Sequence, residues 1–238
     1  FKTKLIAMGM CGYDRVLIEP SGIFDMDEFF DALHEEPLDR WYQIGNVIAV
    51  VDAGLDEKMS EEADYILASE VADAGCIVLS KTQEASEKSI EDTVKHLNRA
   101  LEAVHCKRKF GEDEIIQKDW DQFEKEDFER ILNSGYIAED YEKMSLDEQE
   151  VFKSLYFMDL EISGEELRDA AQKIMQDPAC GSVFRIKGFT QEPDGSWTEL
   201  NATHHEITQC PIAEGQKVII VIGEQPDEEM ITKYFGTD

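Results

Sequence analysis

Two short stretches of the chain carry residue types that can do chemistry, and each follows a run that reads as a β-strand. The first is Ile18-Glu19-Pro20-Ser21-Gly22. In an open α/β sheet, ligands gather beyond the carboxyl ends of parallel strands. A carboxylate such as Glu19 can hold Mg²⁺ there, directly or through water. A glycine such as Gly22 lets a backbone N–H approach a phosphate oxygen. Strand ends also carry Glu and Gly for turn geometry alone, and this segment by itself does not choose. The second stretch is Val78-Leu79-Ser80-Lys81-Thr82-Gln83. It has the outline of a guanine-reading loop, Asn-Lys-x-Asp, in which a carboxylate accepts two N–H bonds from the base edge and the Lys stem packs on its plane. Ser80 stands at the Asn position and Gln83 at the Asp position. Gln is neutral and offers one acceptor oxygen. The lost charge assistance costs on the order of 1.5–3 kcal/mol, which puts guanine selectivity in question. The plainer reading is a strand-to-helix loop with an exposed lysine.

The elements that must position these stretches follow from hydrophobic pattern. Residues 14–19 read as a strand stopped by Pro20. Asp25 precedes a short helical pattern with Phe29, Phe30 and Leu33 on one side. Ile44 to Val51 is almost unbroken apolar chain ending at Asp52, and Cys76 to Leu79 repeats the theme; such runs suit parallel strands buried on both faces. Asp52 either faces a ligand or merely ends its strand. Residues 60–69 read as a helix. A long helix follows from about Ser89, where Ile90, Val94, Leu97, Leu101 and Val104 form one apolar stripe. The alternation predicts an α/β arrangement with parallel strands over residues 1–106. Residues 111–150 hold 15 acids against 4 bases, so 107–154 reads as an acidic, partly helical surface connector. Residues 155–238 read as a smaller α+β domain with an antiparallel sheet. Ser163-Gly164-Glu165-Glu166 is a capping box. Val183–Phe189 and Trp197–Ala202 flank a turn at 193–196, Lys217–Gly223 is a further strand, and a short helix follows Pro226.

Composition removes whole classes of function. Lys and Arg number 23 against 53 Asp and Glu, a formal net charge of -30. Such a surface repels phosphate backbones and anionic lipid, which argues against nucleic acid and membrane as partners. No apolar run approaches the roughly 18–20 residues of a bilayer span. Five cysteines, odd in number and without a C-x-x-C pair, fit reduced thiols in a cytoplasmic protein. His204 and His205 are adjacent, so on a strand they would face opposite ways and not share an ion. His105 complements the dipole at the end of the long helix without any metal.

Taken in order, these segments resemble the CobW-like family of P-loop GTPases, relatives of the nickel-insertase GTPases often described as metallochaperones. The resemblance rests on the two stretches above and on Val47-Ile48-Ala49-Val50-Val51-Asp52 between them. It continues through Arg185-Ile186-Lys187-Gly188-Phe189, Gly195-Ser196-Trp197 and the late Val-Ile-Ile-Val-Ile-Gly strand. Residues 107–154 are least characteristic. The resemblance implies a partial parallel-sheet domain of P-loop type followed by the family's C-terminal α+β domain.

For function, the resemblance implies a protein that binds GTP with Mg²⁺ and couples hydrolysis to metal delivery or cobalamin-related metal handling. Zinc, cobalt or nickel would be cargo, and a client metalloprotein the partner. Glu19 and Gly22 would sense Mg²⁺ and the γ-phosphate; Ser80, Lys81 and Gln83 would flank the base. The family's phosphate loop, G-x-x-x-x-G-K-[S/T], and its Gly-Cys-x-Cys-Cys motif are absent from the 238 residues. Both precede the Glu19 segment in the family, and Phe1 is not a translation start. The expectation is therefore a C-terminal portion, separated from an N-terminal segment, that does not hydrolyse GTP alone and holds no cofactor tightly. The alternative is a non-catalytic protein-binding or regulatory module that kept the scaffold and lost the nucleotide site. An unrelated α/β enzyme is a third reading.

Overall fold

The computed structural model describes residues 1–20, 26–111, 114–139, 141–142 and 151–236. It divides into two units, residues 1–145 and 146–238. In the first, Ile48–Asp52 (β1) and Cys76–Ser80 (β2) pair in parallel with Asp52 opposite Ser80. Ile115–Ile116 (β3) adds to the other edge of β2, giving the order β1-β2-β3. The central strand is the apolar one: Cys76, Ile77 and Leu79 are buried. The acidic stretch after residue 110 thus contributes two buried isoleucines to the sheet as well as a surface helix, Lys125–Leu132 (α6).

Two helices are set by side-chain caps. Ser60 accepts from the Ala63 amide at the start of Glu61–Ala72 (α4), and Ser86 accepts from the Ser89 amide at the start of Glu87–Ala103 (α5). Each removes one orphan N–H from a helix terminus. Leu97, Leu101 and Val104 of the expected stripe are buried, while Ile90 and Val94 are half-buried. Thr93 lies on the same buried face and donates to the Ala53 carbonyl at 3.0 Å, tying α5 to the chain leaving β1. His96, also buried, has Nδ1 2.8 Å from the Asp56 carbonyl and Nε2 2.5 Å from Asp64 Oδ1 on α4. Arg108 closes the far end of α4 by donating to the Ala72 carbonyl at 2.6 Å, while its other nitrogen meets Glu114 at 2.9 Å.

The amino-terminal stretch departs from expectation. Lys2–Met10 (α1), Met26–His34 (α2) and Leu38–Trp41 (α3) are helices, the second matching the Phe29–Phe30–Leu33 pattern. Residues 14–19 form no strand. Leu17 is 88% exposed and nothing pairs with this segment among the described residues. β-Propensity reflects packing on a pleated surface, so without a neighbouring strand the pattern has nothing to act on. β1 departs too. It starts at Ile48, and only the face carrying Ala49 and Val51 is covered, leaving Val50 68% exposed.

The second unit holds the three expected strands and adds two, Phe152–Met158 and Ile207–Ile212. Phe152–Met158 (β4), Ser182–Gln191 (β5), Trp197–Thr203 (β6), Ile207–Ile212 (β7) and Val218–Glu224 (β8) form an antiparallel sheet in the order β4-β8-β5-β6-β7. Gly164–Gln176 (α7) lies on it, started by the Ser163–Glu166 capping box. Leu167, Ile174, Ile186, Leu200, Ile219 and Ile231 belong to one core. Gly188 admits that helix: a Cβ there would sit 2.4 Å from Leu167 Cδ2. Glu228–Tyr234 (α8) closes the unit, with Asp227 rather than Pro226 as its cap.

Tyr234 donates to Asp177 at 2.6 Å, joining α8 to the end of α7. That bond, helped by the Ala179 amide, holds the Asp177 carboxyl below its usual range and raises the Tyr234 phenol. A depressed carboxylate stabilises above its unfolded pKa of about 4, and the contribution is lost as pH falls through the folded value. A raised phenol stabilises below about 10, and that contribution is lost as pH rises through the folded value. Tyr234→Phe should therefore lower the melting temperature at pH 7, with the gap to wild type narrowing at both acid and alkaline extremes. A gap independent of pH between 3 and 11 would contradict this. His96→Ala should cost about 3 kcal/mol or more in urea unfolding, because it opens a cavity and strands Asp64. A loss under about 1 kcal/mol would show that the pair is dispensable.

Candidate functional site

Parallel pairing brings the carboxyl ends of β1 and β2 to one edge, and the polar residues there meet. Lys81, the first residue after β2, has φ +57°. The left-handed region is uncommon for a residue with a Cβ and costs on the order of 1 kcal/mol. The turn is closed by the Glu84 amide donating to the Lys81 carbonyl at 3.0 Å. Lys81 Nζ reaches Asp52 Oδ2 at 2.5 Å, and Asp52 Oδ1 accepts from the Gly54 amide at 2.8 Å. Asp52 thus both ends its strand and faces the loop after β2. Ser80 donates to the Val51 carbonyl at 3.3 Å, and the Ala53 amide donates to the Ser80 carbonyl at 2.9 Å.

A third loop joins this edge. After β3 the chain turns into a short 3₁₀ segment, Trp120–Gln122, which Asp119 precedes. Thr82 donates its hydroxyl to Asp119 Oδ1 at 2.6 Å, and Gln122 Nε2 donates to Asp119 Oδ2 at 3.2 Å. Each carboxylate oxygen keeps a free lone-pair direction. Trp120 is 74% exposed. Asp52, Lys81, Thr82 and Asp119 therefore form a linked polar rim across the ends of all three strands.

The sequence-derived candidates divide across this geometry. Ser80 and Lys81 lie in the rim. Gln83 is exposed and makes no side-chain hydrogen bond among the described residues. Glu19 is exposed in an irregular segment and lines a cavity of about 380 Å³ with Leu5 and Met8 of α1. No bond joins it to Ser80, Lys81 or Gln83 among the described residues, and Gly22 lies outside them. Asp119 and Thr82 were not singled out by sequence. Their one signal was the apolar pair Ile115-Ile116 inside an acidic stretch, which marks a third strand and hence a third carboxyl end.

The metal-ligating types do not converge. Among the described residues no three His, Cys, Asp or Glu side chains are placed to hold an ion. His204 and His205 sit in the β6–β7 turn, not on a strand, and His105 pairs with Glu142 at 3.3 Å. The described cysteines are free. Burial pushes the Cys180 thiol up to about 11, which makes it inert at neutral pH.

Residues 3–110 match the CobW/HypB/UreG nucleotide-binding domain. The resemblance to the CobW-like family is carried by this stretch, which ends just before β3. No curated protein matches the chain. Two solved structures do: the Zn(II)-bound YjiA GTPase from E. coli, 19% identical over 98% of this chain and 74% of that one, TM-score 0.37, and a Zn(II)-bound YjiA triple mutant, 18% identical with the same coverage and TM-score. The CobW-like stretch contains β1, β2, Asp52 and Lys81, whereas Asp119 lies beyond it.

The Lys81–Asp52 bridge is solvated, with the lysine side chain half exposed. Exposed ion pairs are worth about 0–1 kcal/mol. Lys81→Ala should accordingly shift urea-unfolding stability by less than about 1 kcal/mol. A larger loss would make the bridge a structural strut rather than a pair available to a ligand.

Proposed function

We propose that this chain is the base-binding part of a CobW-like GTP-binding protein, with residues 146–238 as its C-terminal domain. The match of residues 3–110 to the nucleotide-binding model carries the reading. The rim at the strand ends supports it, because nucleotides bind beyond the carboxyl edge of parallel sheets. In the intact protein GTP hydrolysis would be coupled to delivery of zinc, cobalt or nickel to a client metalloprotein. The residues described here do not make a Mg²⁺ cage, since Glu19 stands alone and no ligand set converges.

This chain alone does not hydrolyse GTP. Without a glycine-rich loop and its lysine, the β- and γ-phosphates lack their cradle. The base end remains, and Lys81 is free to leave an exposed pair at little cost. The alternative, a binding module without nucleotide chemistry, is favoured by one observation: Gln83 stands where a carboxylate is needed and points into solvent.

Amide-resolved NMR titration with GDP separates the two. Millimolar GDP should shift the signals of residues 80–83, and incubation with GTP should release no phosphate above background. Unchanged amides at 80–83 would leave the binding-module reading, and turnover of GTP would refute the missing cradle.

A further inference from the structure

Gln83 leaves the base-reading loop without a carboxylate, yet the loop is bonded to one. We infer that Asp119, held by Thr82, is the carboxylate that reads the purine's N–H edge. The inference rests on the nucleotide-binding reading above and names the residue that sets base choice within that site.

Four observations carry it. Thr82 lies between Lys81 and Gln83, and its hydroxyl grips Asp119 Oδ1 at 2.6 Å, so the carboxylate is fixed at the loop that meets the base. Gln122 orients the second oxygen at 3.2 Å, leaving one acceptor direction free on each. Asp119 is half-buried and engages no lysine or arginine among the described residues, so its charge is not spent on an ion pair. Trp120, the next residue, is 74% exposed on the same loop, and an exposed indole is a stacking surface for a base.

The chemistry selects guanine. Its N1–H and exocyclic N2–H₂ are adjacent donors, which a carboxylate accepts as a pair. Adenine offers N1 as an acceptor and would face repulsion there. Xanthine replaces the exocyclic amine with a carbonyl, which repels a carboxylate but accepts from an amide. Asp119→Asn should therefore exchange the preference from guanine to xanthine. Thr82→Val should weaken guanine binding without that exchange, because it frees the carboxylate but keeps its charge. Trp120→Ala should weaken every base alike.

The test is calorimetric or NMR titration of the 238-residue chain with GDP, XDP and ADP. Wild type should bind GDP best. Asp119→Asn should bind GDP about tenfold or more weakly and XDP more tightly than wild type does. Gln83→Asp serves as a second variant: it should tighten GDP binding in Asp119→Asn by restoring a carboxylate. If wild type prefers GDP and Asp119→Asn leaves the order unchanged, Asp119 is not the reader, and the nucleotide-binding reading stands. If wild type binds none of the three, that reading fails and this inference fails with it. Circular dichroism on each variant identifies a loss of fold, and in that case Thr82→Val and Trp120→Ala decide.

Discussion

The parallel register of β1 on β2 is the constraint from which the candidate site follows. With Asp52 opposite Ser80, the residue after β2 is carried to the carboxylate that ends β1. A slip of one residue would turn Ile77 and Leu79 to the opposite face and move Lys81 away from Asp52. The register is pinned by burial, since β2 is apolar along almost its whole length. It is also pinned from outside the sheet. Thr93 on α5 and the Ala53 amide fix the chain leaving β1 against α5 and Ser80. The rim is thus a consequence of core packing rather than of loop sequence.

The same logic explains why the rim tolerates strain. Lys81 adopts a left-handed backbone at the mouth of the sheet, where a glycine would be unstrained. Nothing in the packing demands a lysine at that position, because its side chain is half exposed and its ion pair is solvated. A residue that is costly locally and unneeded for burial is better accounted for by what its ammonium and stem can touch. Buried polar groups elsewhere in the unit are matched differently. His96 and Arg108 are enclosed, and their bonds go to helix carbonyls, a loop carbonyl and carboxylates that packing already fixes. These hold the frame, whereas Lys81 stands outside it.

Much of this was legible in the sequence. The capping box of α7 and the apolar stripe of α5 lie where local rules place them, because helix termini and amphipathic faces are short-range properties. β2, β5, β6 and β8 were legible from apolar runs. Ser80 and Lys81 were found because they sit directly beyond such a run. Asp119 was not, because it reaches the rim through β3, a strand of only two residues, and the Thr82 it bonds lies 37 positions earlier in the chain. No local pattern records that distance. Glu19 was drawn into the candidate set by a strand that does not form.

Residues 14–19 have β-branched and apolar character, but remain irregular and unpaired among the described residues, with Leu17 almost fully in solvent. β1 is a formed strand, but it pairs through one edge among the described residues, and Val50 on its open face is 68% exposed. Parallel strands are ordinarily covered on both faces by their crossover helices, and an unpaired edge leaves backbone donors and acceptors unmatched. β1 persists because β2 satisfies half of its backbone and Ala49 and Val51 are packed. The 14–19 segment has neither form of support. Pairing and packing, not propensity, decide which of two similar apolar runs becomes a strand, and so which of two candidate carboxylates, Asp52 or Glu19, is held in place.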